Sequence, residues 1–367
     1  MTTGFTLRAM LRHRRIHAVV TAVAVTLALH LVSATAADRI PARLTDQEFW
    51  ALLTSLSEPN GSFRSDNLLS NELRHQFVIP ELKETATPGR AYIGVGPEQN
   101  FTYMAALQPS IAFIVDIRRG NLQLHLMYKA LFELSTDRAD FVSRLFSRKQ
   151  PDGLRNTSTA HEIFRAYADV EASPALYDRN LKAIEAQLSG RHGFPLSSED
   201  IAGVEYVYHA FFMFGPSINY SSTEGVGAGS SRPTYADLMT ATDSDGRAHS
   251  YLASEEAFAA VKSLEAKNLV VPVVGDFAGP RALKAVGTWL KSRSAVVSAF
   301  YVSNVEQYLR VERVWGAFCG NAARLPIDET STFIRAGRGG RYARGGTALT
   351  AELANIALEV DGCDRRP

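Results

Sequence analysis

The chain has 367 residues, 46% hydrophobic, 10% aromatic and 21% charged. Such values exclude a disordered chain, a collagen-like fibre and a multi-span membrane protein. With 39 Lys+Arg against 38 Asp+Glu there is no basic excess to meet nucleic acid, and two cysteines are too few for a disulfide scaffold or a cysteine-based zinc site.

Residues 1–36 read as a secretory signal peptide. Arg8, Arg12, Arg14 and Arg15 form a basic start without an acid, residues 18–32 are an apolar run, and Ala34 and Ala36 fit a small-residue cleavage pattern. Cleavage after Ala36 predicts an exported protein, periplasmic or secreted, with no membrane contact beyond the signal. The alternative is an uncleaved anchor, for which the run is short. Arg14-Arg15 is a twin arginine followed by a poor match to the rest of a Tat signal. In an oxidising compartment Cys319 and Cys363 pair; elsewhere they are two free thiols.

The remainder, 37–367, reads as a single α/β domain. Thr45 three residues before Glu48 caps a helix over 44–57, with Phe49, Leu52, Leu53 and Leu56 on one face. A second helix is expected over 65–77, stopped by Pro80. Residues 91–96 form a strand ending in glycines, 99–107 a helix, 111–115 an unbroken apolar strand and 122–134 a helix. Residues 135–265 form a helical insertion, with helices over 139–147, 160–170, 174–188 and 199–213 and a Gly/Ser loop over 221–231. The alternation resumes with a strand over 269–274, a helix over 280–291, a strand over 295–302, a short strand at 333–334 and a late amphipathic helix over 349–360. Strands without polar alternation are buried on both faces. The fold class is therefore α/β, a Rossmann-like mostly parallel sheet flanked by helices, with a helical insertion between the second and third strands.

In such sheets, ligands bind beyond the carboxyl ends of the strands. The first end is Gly94-Val95-Gly96-Pro97-Glu98-Gln99-Asn100, a partial glycine fingerprint whose turn lets a ligand approach the backbone. It reads equally as a plain tight turn. The second is Asp116, about 20 residues beyond the glycines, the spacing of a ribose-binding acid. The alternative pairs Asp116 with Arg118 or Arg119. The third is Asp276 with Phe277, an acid and an aromatic suited to an adenine edge and face, or else a helix cap. After the fourth strand, Ser303, Asn304, Glu306 and Tyr308 stand where a reacting group would lie, with Asn304 as a plain helix cap the alternative.

This order of parts resembles the class I S-adenosylmethionine-dependent methyltransferases. The resemblance implies that Gly94, Gly96, Glu98, Asn100, Asp116, Asp276 and Phe277 hold S-adenosylmethionine and that Asn304, Glu306 and Tyr308 face the acceptor. The strings at 65–72, 94–103, 113–119 and 273–280 are also similar to those of a set of uncharacterised exported bacterial proteins. Methyl transfer calls for alignment of donor and nucleophile, and for a base only if the acceptor must lose a proton. Candidate bases are Glu306 and Tyr308, with Tyr206, Tyr208 and His209 in the insertion. The alternative is a non-catalytic exported ligand-binding protein on a degenerate Rossmann-like fold. Either way the partner is a small molecule. No metal is expected, since the histidines lack ligand spacing, and Arg335–Arg344 reads as a loop.

Overall fold

The computed structural model describes residues 39–224, 232–337 and 349–363, so the expected signal segment and most of the Gly/Ser loop lie outside the described residues. The capping box forms as the sequence predicts: Thr45 accepts from the Glu48 amide and the Glu48 carboxylate accepts from the Thr45 amide, opening α1 (Asp46–Leu56). The helix expected over 65–77 does not form. Residues 57–74 run as an irregular strap, followed by one tight turn (His75–Val78) and α2 (Ile79–Thr85). Pro80 opens α2 instead of stopping a helix, because a first-turn residue needs no amide donor.

The alternation then appears as expected, with β1 (Ala91–Gly94), α3 (Gln99–Leu107), β2 (Ile111–Asp116) and α4 (Arg119–Leu134). The insertion carries α5 (Arg138–Phe146), α6 (Ala160–Tyr167), α7 (Pro174–Glu185), α8 (Ser198–Phe214) and α9 (Tyr235–Thr240). Then come α10 (Glu255–Ala266), β3 (Val270–Val274), α11 (Ala282–Ser292), β4 (Val297–Ser303), α12 (Val305–Val311), α13 (Trp315–Ala322) and β5 (Thr332–Gly337). The chain closes with β6 (Thr350–Asn355) and α14 (Ile356–Glu359).

The sheet has six strands in the order β3-β2-β1-β4-β5-β6, parallel throughout except for β6, which is antiparallel to β5. Every residue of β1, β2 and β3 is buried, as the unbroken apolar runs require. The strand order reverses between β1 and β4, opening a crevice at their carboxyl ends. The helix expected over 349–360 is instead β6 plus the short α14. Leu353, Ile356 and Val360 fall at helical spacing, but the open edge of β5 takes the segment as a partner, pairing Phe333 with Ala354 and Arg335 with Glu352. Arg335, expected in a loop, lies in β5 and pairs with Glu306 and Glu359; Arg338, Arg341 and Arg344 lie outside the described residues.

The insertion is bolted to the sheet by aromatic packing and buried charge. Phe132 of α4 stacks on Phe141 of α5 with centroids 4.7 Å apart. The buried Arg138 donates to Glu255 and to the carbonyls of Leu252, Asn156 and Ser158. His192 bridges Asp46 of α1 and Glu133 of α4 at 2.7 and 2.6 Å. Burial pushes the Glu133 carboxyl up, but His192, Lys129 and Gln187 outweigh it and hold it at about 2. Cys319 and Cys363 form a disulfide, with Cα atoms 5.5 Å apart, resolving the two alternatives in favour of pairing. Among the described residues no helix is long and apolar enough to cross a membrane.

Candidate functional site

The carboxyl ends of β1 to β4 and the strap over 57–74 enclose a cavity of about 1240 Å³. Its floor is the turn after β1. Gly96 adopts φ +74°, a left-handed conformation that glycine takes without strain. The turn is held from below by Asn100, whose side-chain nitrogen donates to the carbonyls of Val95, Gly96 and Pro97 while its oxygen accepts from the Tyr92 hydroxyl. Buried His125 donates from Nε2 to the Gly96 carbonyl, and burial pushes its pKa down to about 4, so it stays neutral.

Of the sequence-predicted residues, the structure brings Gly96, Asp116, Asp276, Phe277, Asn304 and Tyr308 to this one cavity. It does not bring Gly94, Glu98, Asn100 or Glu306 there. Gly94 packs against Asn100, and Glu98 and Asn100 are wholly buried beneath the turn, where they shape it rather than line it. Glu306 is turned away into its ion pair with Arg335. Tyr206, Tyr208 and His209 do not line the cavity either. Tyr208 is buried and donates to the Arg144 carbonyl, Tyr206 donates to Asp66, and His209 packs edge-on against Tyr177.

Asp116 ends β2 beside β3, and its carboxylate is gripped by Arg118. Nε and the backbone amide of Arg118 donate to Oδ1, and Nη2 donates to Oδ2 at 2.9 Å. Nη1 of the same guanidinium reaches the strap carbonyls of Ser65 and Asp66. The pairing alternative raised by the sequence is thus real, and Arg118 ties the acid to the strap. Asp276 accepts from the Ala278 amide, and Phe277 lines the cavity while packing against Phe300 and Phe318. Asn304 precedes α12 without a side-chain cap bond. The Tyr308 hydroxyl accepts from Arg64 of the strap.

Two carboxylates that shape the cavity's surroundings have no signature in the sequence. Glu58 accepts from the amides of Asp276, Arg281 and Ala282, capping α11 from the segment that follows α1. Glu72 lies at the far end of the strap, 1% exposed, on the cavity wall. Its Oε1 accepts from the hydroxyls of Tyr301 and Ser303, and its Oε2 from the Gln99 amide. Ser303 holds φ +51°, a strained conformation for serine at a cavity wall. Burial pushes both Glu72 and its neighbour Glu98 up, Glu98 to about 8. The only local sign of Glu72 is its place in the 65–72 string; its partners come from other parts of the chain.

The sequence profile of a family described as Domain of unknown function (DUF7790) matches residues 68–192 and 229–353, more than half of the chain. The chain belongs to this family. The DUF7790 match takes in β1 to β5 and therefore the whole ring of strand ends, Glu72 included, and leaves out α1, Glu58 and α8. No curated protein matches the sequence.

Proposed function

We propose that the cavity binds an S-adenosyl nucleoside and that the protein is a methyltransferase-like enzyme acting on a small molecule. One observation carries the reading: Gly96, Asp116 and Asp276, at the ends of the adjacent strands β1, β2 and β3, line one hollow, and Asn304 and Tyr308 beyond β4 line its other half. The donor set suits a nucleoside. Asp116 has one lone-pair site left on Oδ2 beyond its three bonds from Arg118, and exchanging the Arg118 Nε bond frees a second for a ribose diol. Asp276 is an acceptor for an exocyclic amine, and Gly96, in its φ +74° turn, brings backbone to the cavity wall. When bound, the cofactor supplies an electrophilic methyl group on a sulfonium. The protein's part is to orient the partners and, through the strap, to keep water out.

Isothermal calorimetry tests this. S-adenosylhomocysteine binds the protein, and Asp116→Ala weakens it by about tenfold or more, the scale of a lost charged hydrogen-bond pair. Absence of heat with both S-adenosylmethionine and S-adenosylhomocysteine excludes the reading. A second reading, a non-catalytic ligand-binding protein, is favoured by the grip of Arg118 on both oxygens of Asp116, which leaves a ribose one free acceptor position. That reading stands if neither nucleoside binds.

The reading includes export. The basic and apolar start of the sequence and the Cys319–Cys363 disulfide both suit an oxidising compartment. Fractionation of the native host then finds a chain that begins after Ala36 outside the cytosol; unprocessed chain in the cytosol overturns it.

A further inference from the structure

We infer that the ligand held at the β4 end of the cavity, the acceptor in the proposed reaction, carries a cationic nitrogen that seats on Glu72. The inference rests on the proposed function for the ligand's role as acceptor and not for its charge.

Asp116 and Asp276 sit over β2 and β3, on one side of β1, whereas Glu72 bonds Tyr301 and Ser303 at the end of β4, on the other. The cavity, at about 1240 Å³, exceeds the roughly 300–1,000 Å³ of a single small-molecule site. Room therefore remains beyond a nucleoside, and Glu72 is the buried acid that faces it.

Charge comes next. A buried carboxylate is paired or it is neutralised. Among the described residues Glu72 is in no ion pair, and neither is Glu98 next to it. The cavity wall as a whole carries five carboxylates against three guanidiniums, and one of those, Arg118, is taken up by Asp116. Three neutral donors fix the orientation of the Glu72 carboxylate and leave one lone-pair site on Oε2. An ammonium group supplies both the missing donor and the missing positive charge. Phe63, edge-on to Tyr308 at 5.2 Å, adds an aromatic wall nearby for the body of such a ligand.

The test compares charged and neutral probes of one shape on the whole protein. Phenethylamine binds the wild type about tenfold or more tighter than phenethyl alcohol, and Glu72→Gln loses that preference. No preference in the wild type, or a preference that survives Glu72→Gln, overturns the inference. If Glu72→Gln fails to fold, Glu72→Asp takes its place, and a preference undiminished by the withdrawn carboxylate overturns the inference. S-adenosylhomocysteine against methylthioadenosine, which lacks the amino-acid ammonium, separates the other source of positive charge. A Glu72-dependent preference in that pair only overturns the acceptor assignment. If neither nucleoside binds while the phenethylamine preference holds and needs Glu72, the inference stands and the nucleoside reading falls.

Discussion

Gly94→Ala destabilises the protein by about 3–5 kcal/mol and abolishes the nucleoside binding proposed above. The reason is space, not backbone conformation. A Cβ at Gly94 lies 1.9 Å from Oδ1 of Asn100 and 2.9 Å from Cε1 of Tyr92. Asn100 must then leave its place, stranding the Val95 carbonyl and the Tyr92 hydroxyl and removing one of two bonds from the carbonyls of Gly96 and Pro97. Each buried group left without a partner costs about 1–3 kcal/mol, and the turn that carries Gly96 loses its template. Urea unfolding at constant pH measures the change. Gly120→Ala is the control: a Cβ there meets nothing within 4 Å, so its stability stays within about 1 kcal/mol of wild type. Equal stability of Gly94→Ala and Gly120→Ala would disprove this account of the turn.

Glu98→Gln raises stability at alkaline pH and leaves it nearly unchanged near pH 5. Burial holds the Glu98 carboxyl at about 8, above its ordinary value of 4.5. Between those values the folded chain keeps a proton that the unfolded chain releases. Stability therefore declines as pH rises from 4.5 and levels off above the folded value. At about 1.4 kcal/mol per pKa unit the decline amounts to several kcal/mol. The substituted amide is neutral at every pH, and its oxygen still accepts from the Ser70 amide, as the Glu98 carboxyl does. Glu265, also pushed up to about 8 by burial, titrates in the same window, so the informative quantity is the difference between the two proteins. Thermal melting at pH 5 and pH 9 supplies it. Parallel pH dependence in wild type and variant would mean that Glu98 does not ionise on this path.

The loop beneath the cavity thus behaves as a unit in which residues with the spacing of ligand contacts act as supports. Glu98 and Asn100 follow a glycine turn at the start of a helix, where side chains often face a ligand. Here α3 begins so close under the turn that both point inward. Glu306 misses the cavity for a related reason: α12 turns it toward β5, where Arg335 neutralises it. Asn304 and Tyr308, on either side of it in sequence, remain on the wall.

Whatever is settled within a turn or a strand's length is legible in the sequence alone. The apolar runs of β1 to β4 dictate buried parallel strands, Thr45 with Glu48 dictates the start of α1, and the glycines after β1 dictate a turn. Those effects act between residues a few positions apart, so spacing reveals them. Pro80 and the segment over 349–360 mislead for the converse reason. Local pattern permits both a helix stop and a helix start at a proline, and both a helix and a strand at 349–360, and only the neighbouring elements choose. The site's central acid belongs to tertiary structure entirely. Glu72 takes its hydrogen bonds from partners 27, 229 and 231 residues away. No periodicity encodes a contact across such separations; it exists because the sheet order brings the ends of β1 and β4 together beneath the strap.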